Sequence, residues 1–226
     1  MNRPEQGIPA DVVVSLAHFS STGRKRQSNI LTSNSLSLSL AHSLSSHIIS
    51  VQKRLTDRAL DIIAIPEGKS ALVLDVGCGS GISTAVIEEH GHFVVGLDVS
   101  ESMLKIASMR ELDGDCLLSD MGQGFNIKPG MFDACVSISA IQWLCTAEKT
   151  SHHPFKRLST FFTALYRAMV RGARCVFQFY PESAEQLEMI TTAAMKSGFT
   201  GGLIVDYPNS TKAKKHYLFL MAGYSH

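Results

Sequence analysis

The segment Asp75-Val76-Gly77-Cys78-Gly79-Ser80-Gly81 constrains this chain more than any other. Before it stands Ala71-Leu72-Val73-Leu74, a short unbroken apolar run of the kind buried in a parallel sheet. The glycines let the backbone turn tightly and let a ligand approach without a Cβ in the way. A helix is expected over residues 82–90, with Gly91 as its left-handed stop. Strand, glycine turn and helix in that order belong at the carboxyl edge of an open α/β sheet, where such sheets bind ligands.

The same alternation runs on through the chain. Ile48, Val51, Leu55, Ala59 and Ile62 recur at helical spacing from His47, and that helix should stop before Pro66. Strands are expected at residues 93–97, 116–118, 132–138 and 175–179. Ser100 should cap one helix, with Glu101 in its first turn. A helix over residues 155–169 turns Leu158, Phe161, Phe162 and Leu165 inward. Ser183 and Gln186 form a capping-box pair for another, which Gly198 ends. Residues 199–205 and 217–221 follow with no helix between them, so the last strand pairs antiparallel. Repeated strand–helix units with buried strands specify an α/β fold. The expected form is a doubly wound, mostly parallel seven-stranded sheet with an antiparallel C-terminal strand, the plan of class I S-adenosylmethionine-dependent methyltransferases.

That domain is assigned to residues 47–226. Residues 1–46, with the basic cluster Arg24-Lys25-Arg26 and the alternating Leu36-Ser37-Leu38-Ser39-Leu40, are expected to be irregular or poorly ordered. At 226 residues and 45% hydrophobic, the chain can bury a sizeable core. Its formal net charge of +1 means that any nucleic-acid contact must come from a local patch. The five cysteines are odd in number and form no CxxC pair, which points to free thiols and an intracellular protein. The nine histidines lack metal-ligand spacing, and His152-His153 reads as loop. No apolar run reaches the roughly 18 residues of a membrane span, and the first residues do not read as a signal peptide.

Asp98 lies at the end of the second strand, where an acid can accept both ribose hydroxyls of a nucleotide-like cofactor. The third glycine comes one residue early for the dinucleotide pattern G-x-G-x-x-G, which disfavours a pyrophosphate at the helix N-terminus. Asp75 suits a cation such as the methionine ammonium. S-adenosylmethionine is therefore the expected cofactor, held by Asp75, Gly77, Cys78, Gly79, Gly81, Asp98 and the neighbouring Val99. Asp120 and Met121 follow the third strand, where this class usually sets an acid for the adenine amino group; an ordinary loop aspartate is the alternative.

Four further stretches carry a narrower resemblance. They are Asp120-Met121-Gly122-Gln123-Gly124, Ser137-Ile138-Ser139-Ala140-Ile141-Gln142-Trp143-Leu144-Cys145, Gln178-Phe179-Tyr180-Pro181-Glu182, and the run from Val205 through Tyr207-Pro208-Asn209 to Lys212-Ala213-Lys214-Lys215. Together they closely resemble the eukaryotic small-subunit (18S) ribosomal RNA guanine-N7 methyltransferases, over about residues 48–223 with a short echo in residues 1–9. The resemblance implies methyl transfer to N7 of one guanine in that RNA and a role in ribosome assembly. It also implies a small zinc-binding activator subunit as heterodimer partner, a cofactor role for Ser137, and work in the nucleus and cytoplasm.

Two departures stand out. The family has an acidic, tyrosine-containing segment before its first helix that helps close the cofactor pocket, where this chain carries the basic, Ser/Leu-rich residues 12–46. The family also continues into a basic tail beyond the point where this chain stops, His226. Cofactor closure, RNA affinity and nuclear targeting are not carried over by the resemblance, and a ribosome assembly factor with impaired catalysis stands as one alternative. A methyltransferase acting on a small molecule is the other.

N7 of neutral guanine has an in-plane lone pair and no proton, so no acid or base residue is expected. Trp143 is a candidate stacking platform for an unstacked base, with core filling as an equal alternative. Tyr180 is a second platform candidate, and Gln142 could bond a base edge. Lys212, Lys214 and Lys215 are candidates for RNA phosphates, against the ordinary reading of a solvated face. An outer third strand Cys116-Leu117-Leu118 would leave an apolar edge that a partner strand could cover.

Overall fold

The apolar runs of the chain pair as expected in its computed structural model, which describes residues 33–146 and 153–223, with side chains from residue 46. The strands are β1 (Leu72–Val76), β2 (Phe93–Asp98), β3 (Asp115–Leu118), β4 (Phe132–Ile138), β5 (Met169–Phe179), β6 (Phe199–Asp206) and β7 (Lys215–Ala222). They form one sheet in the order β3-β2-β1-β4-β5-β7-β6. Every pairing from β3 to β5 is parallel, and β7 lies antiparallel between β5 and β6. The helices are α1 (Ser33–Ile63), α2 (Ile82–Glu89), α3 (Glu101–Ser108), α4 (Pro154–Ala168) and α5 (Ala184–Lys196).

The chain divides into two units, Met1–Val51 and Gln52–His226. Of the first, the described part is the beginning of α1; the basic cluster at residues 24–26 and the echo in residues 1–9 lie outside the described residues, as does His152. Helix α1 starts at Ser33 rather than at His47, so the Ser/Leu stretch is helical where irregular chain was expected. The physical reason is local: residues 33–63 contain no glycine or proline, and leucine and alanine favour the helix. The alternation of leucine and serine thus carried no strand signal.

In the second unit both faces of the sheet are covered. Leu74, Cys135 and Phe177 lie in one cluster with Leu158, Phe161, Phe162 and Leu165 of α4 and Ile190, Ala193 and Ala194 of α5. On the opposite face Asp75 accepts hydrogen bonds from α2, and the Arg174 guanidinium donates to the Ile63 carbonyl at the end of α1. Among the described side chains of α1 the buried ones are Leu55, Thr56, Ala59, Leu60 and Ile63, so the inward stripe falls on Ile63 rather than Ile62.

Strand β5 begins at Met169, well before the expected Cys175. Met169 pairs with Phe132, but the next partner of β4 is Arg174 opposite Ala134. Residues 170–173 bulge out of register there, with Gly172 at φ +82°. The helix caps follow the sequence signals. Ser100 Oγ accepts from the Met103 amide at 3.3 Å and Ser183 Oγ from the Gln186 amide at 3.2 Å. The Gln186 side chain reaches back to the Glu182 amide at 2.8 Å.

Phe177 stands at the centre of the α4 face, edge-on to Phe161 and Phe162 with ring centroids 5.9 and 5.6 Å away. Edge-to-face packing adds to the burial of its area. Phe177→Ala should lower the unfolding free energy by about 3–5 kcal/mol, read as a shift in the chemical denaturation midpoint. A loss well under 1 kcal/mol would mean that this cluster is not the core of the sheet.

Candidate functional site

The parallel strands end at one edge of the sheet, and β6 also ends there because the antiparallel β7 intervenes. The glycine loop leaves β1 at this edge. Gly77, Gly79 and Gly81 have φ of +75°, +54° and +80°, a left-handed backbone that residues with a Cβ adopt at a cost. A Cβ on Gly77 would also collide with the Ala140 side chain. The Gly77 and Cys78 amides both donate to the Leu97 carbonyl, at 2.7 and 3.2 Å, which ties the loop to β2. Arg110 braces the far side through its Nε, which donates to the Ser80 carbonyl at 2.5 Å.

Asp98 holds the loop from β2. Its Oδ2 accepts from the Gly79 amide at 2.9 Å and its Oδ1 from the Ser100 amide at 2.8 Å. A carboxylate offers about four acceptor positions, so each oxygen keeps one for a further donor. Val99 beside it is 68% exposed. The Cys78 side chain instead turns inward: it is buried, and its Sγ fills the space that a Cβ on Gly96 would need. Only the Cys78 backbone belongs to the loop surface.

Asp75 is fully buried. Ser83 and Thr84 of α2 donate to its Oδ2 at 2.7 and 2.8 Å, while its Oδ1 has no hydrogen-bond partner among the described residues. A buried acceptor left without a donor costs about 1–3 kcal/mol, and Oδ1 keeps its acceptor capacity unused.

Asp120 lies just after β3, as expected, and its carboxylate is bonded within the chain. Its Oδ1 accepts from the Gly122 amide at 2.9 Å and from Arg157 Nη2 at 2.9 Å; its Oδ2 accepts from Gln123 Nε2 at 3.2 Å and from Arg157 Nη1 at 3.1 Å. All four acceptor positions are thus used within the chain, and an adenine amino group would have to displace one of these donors. Burial works to raise this carboxyl, but the bonds from Arg157, Gly122 and Gln123 outweigh it and hold its pKa below the usual value. The residue caps the short 3₁₀ turn Met121–Gln123, and Met121 packs against the core cluster.

Beyond β4 lies a polar group that sequence reasoning found only in part. Ser137, on β4 itself, is buried, and its Oγ has no partner among the described residues. Ser139 has φ +57°, a strained setting for a residue that is not glycine. Its amide donates to the Gln178 carbonyl at 2.8 Å and its Oγ to Gln178 Oε1 at 2.7 Å, while its carbonyl accepts from Gln142 Nε2 at 3.0 Å. Gln178 is fully buried on β5, and its Nε2 has no partner among the described residues; neither has the buried Gln142 Oε1. The sequence signal for Gln178 was a polar residue inside the apolar run Val176-Phe177-Gln178-Phe179.

Trp143, on the 3₁₀ turn Ile141–Cys145, is 52% exposed and is not a core residue. Two of the other candidates meet each other: the Lys215 ammonium lies 5.1 Å from the centre of the Tyr180 ring. One face of Tyr180 is therefore already covered by a cation. Lys212 is exposed and Lys214 half-buried, in the connection between β6 and β7. A separate groove of about 680 Å³ runs beside α4, between Lys156 and Arg167, away from these residues. Among the described residues no group of histidine, cysteine, aspartate and glutamate could hold a metal ion, and no helix is long and apolar enough to cross a membrane.

Residues 74–177 match the family model described as "Methyltransferase domain". The chain is 56% identical over 178 residues to the 18S rRNA (guanine-N(7))-methyltransferase of Mus musculus, covering 79% of this chain and 63% of that one. To the 18S rRNA (guanine-N(7))-methyltransferase of Schizosaccharomyces pombe it is 50% identical over 183 residues, covering 80% and 68%. The chain thus spans somewhat less than two thirds of the mouse protein's length. Among solved structures, the magnesium protoporphyrin IX methyltransferase of Synechocystis with bound SAM has a TM-score of 0.57 at 18% identity, covering 75% of this chain and 78% of that one. An S-adenosylmethionine-dependent methyltransferase from Mesorhizobium loti has 0.56 at 18%, covering 73% and 96%. At such identities these two likenesses establish the fold alone.

The buried Asp75 also has a consequence for stability. Burial pushes its carboxyl from 3.8 up to about 6, against the lowering effect of the Ser83 and Thr84 hydroxyls. Between these two values the folded chain keeps a proton that the unfolded chain releases, so stability falls as pH rises through the window. At pH 7 the buried charge costs on the order of 3 kcal/mol. Asp75→Asn should therefore raise the melting temperature at pH 7 and flatten the dependence of stability on pH between about 4 and 6.5. A variant less stable than the parent at pH 7 would contradict this account of the site.

Proposed function

This chain belongs to the 18S rRNA (guanine-N(7))-methyltransferase family, and from that premise we propose that it transfers the methyl group of S-adenosylmethionine to N7 of a guanine in small-subunit ribosomal RNA. The observation that carries the reading is the pairing of two acids around the glycine loop. Asp75 keeps one buried oxygen without a partner, suited to an ammonium, and Asp98 keeps two free acceptor positions, suited to a ribose diol. Gly77 lets the loop pack against the Ala140 side chain, a contact that a Cβ could not share. These features fit the two ends of S-adenosylmethionine, with Val99 and Met121 beside the adenine.

When bound, the cofactor supplies a methyl group on a sulfonium, open to in-line attack. The lone pair of guanine N7 needs no deprotonation, so the protein contributes position and environment rather than a general base. Trp143 offers half its surface as a platform for an unstacked base. Lys215, held over Tyr180, and the nearby Lys212 and Lys214 present positive charge toward the phosphates on either side. In this reading the chain serves small-subunit biogenesis and works in the nucleus and cytoplasm.

A small zinc-binding activator is the proposed partner, docked on β3. Among the described residues this strand pairs on one side only, with β2, and all four of its residues are exposed. Leu117 and Leu118 are 41% and 59% exposed, an apolar edge that invites strand addition. The chain alone should aggregate, and co-expression with the activator should restore a soluble heterodimer. Leu118→Lys should improve solubility of the isolated chain and weaken the heterodimer, by size-exclusion chromatography. A monodisperse, stable monomer of the unaltered chain would remove the reason for the partner.

Calorimetry tests the cofactor. Binding of S-adenosylmethionine is expected with a dissociation constant on the order of micromolar, and Asp98→Ala should weaken it by at least about tenfold, since two bonds to a charged group are lost. No binding by a folded heterodimer would overturn the methyltransferase reading and favour an assembly factor that keeps the fold.

A further inference from the structure

The chain is almost neutral, with 21 basic against 20 acidic residues, so positive charge collected in one place is informative. The groove of about 680 Å³ beside α4 collects it. One wall is α4 itself; the other belongs to the connection over residues 121–131. These two stretches hold Lys128, Lys156, Arg157 and Arg167 and no aspartate or glutamate. Arg157 is taken up by Asp120. Lys156 and Arg167 line the groove, with Ser159, Thr160 and Thr163 between them along the helix. Arg167 Nη2 donates to the neutral Asn126 side chain at 3.2 Å, which orients the guanidinium without cancelling its charge. Among the described residues neither Lys156 nor Arg167 has an acidic partner. Gly122 and Gly124 let the two walls lie this close. A Cβ on Gly122 would collide with the Arg157 guanidinium, and one on Gly124, at φ +76°, would press on Thr160.

Helix α4 follows the turn that carries Trp143, at the carboxyl edge of the sheet, and ends where β5 begins, at the opposite edge. The groove therefore runs down the flank from one edge toward the other. Its upper end is joined to the carboxyl edge by Gln123, which lines the groove and donates to Asp120 at 3.2 Å. Lys156 stands at this end and Arg167 at the far one, about 16 Å further along the helix axis. We propose that the groove seats the backbone of single-stranded RNA leading away from the target nucleotide, with Lys156 and Arg167 on phosphates. This rests on the ribosomal RNA reading and deepens it, adding a contact surface separate from Lys212, Lys214 and Lys215. A strand of RNA carries one negative charge per nucleotide, so two cations with hydroxyl and amide donors between them suit a run of a few nucleotides. Contacts of this kind hold the strand in register and carry no sequence information.

The test is binding of a labelled single-stranded RNA carrying the target site to the full chain co-expressed with the activator, by fluorescence anisotropy across a range of salt concentrations. Lys156→Gln and Arg167→Gln should each weaken binding by about threefold to tenfold at low salt. Each should also reduce the slope of log affinity against log salt by about 0.7, and the double variant by about twice that. A scrambled RNA should respond in the same way, because phosphates are common to both. Glutamine is a good helix former, so the melting temperature and S-adenosylmethionine affinity should hold. Lys53→Gln removes an exposed charge that pairs with Glu89 outside the groove and should leave the slope as it was. A double variant with the parent's slope overturns the proposal. Intact RNA binding with a weakened heterodimer also overturns it, by giving the groove to a protein partner. No RNA binding by the unaltered complex would sink the ribosomal RNA reading and the groove with it; RNA binding indifferent to both cations sinks the groove alone.

Discussion

The carboxylate of Asp98 joins what would otherwise be two separate strand ends. By accepting the Gly79 and Ser100 amides it ties the loop after β1 to the beginning of α3. The Leu97 carbonyl next to it takes the Gly77 and Cys78 amides. A loop with three left-handed glycines is costly to order, because glycine loses more conformational freedom than any other residue. Backbone hydrogen bonds from β2 offset that cost, and the parallel pairing of β1 with β2 brings the acceptors to the right height. The open surface at the sheet's edge exists because of this arrangement.

The site around the loop runs against stability in several places. Asp75 carries charge in the interior at neutral pH, and Ser137, Gln142 and Gln178 each leave a buried polar atom without a partner. Ser139 adds backbone strain. Such features are uncommon in an interior selected for stability alone. Those named here lie toward the carboxyl edge, while the α4 and α5 face of the sheet is a closed aromatic and aliphatic cluster. The cluster supplies the stability that the edge gives up.

Much of this was legible in the residues. Apolar runs of strand length, the glycine turn and the caps at Ser100 and Ser183 gave the order and type of the elements, because those signals depend on neighbours in the chain. The limits were equally physical. The start of α1 was missed because alternating leucine and serine obey no rule against a helix, and the early start of β5 was hidden by the bulge at Gly172. For Asp120, the bonds that Arg157 makes to it from 37 residues further along the chain carried no local signal.

The sequence by itself determined the doubly wound sheet, the glycine loop and the two acids beside it, since each follows from local spacing and backbone freedom. Only the tertiary structure decided which polar atoms remain without partners. It left Asp75 one open oxygen, filled Asp120, covered one face of Tyr180 with Lys215, exposed Trp143 and set Gln142 and Gln178 around Ser139. Hydrogen-bond capacity is spent between residues far apart in the chain, and so the chemistry left over at an edge is a property of the fold.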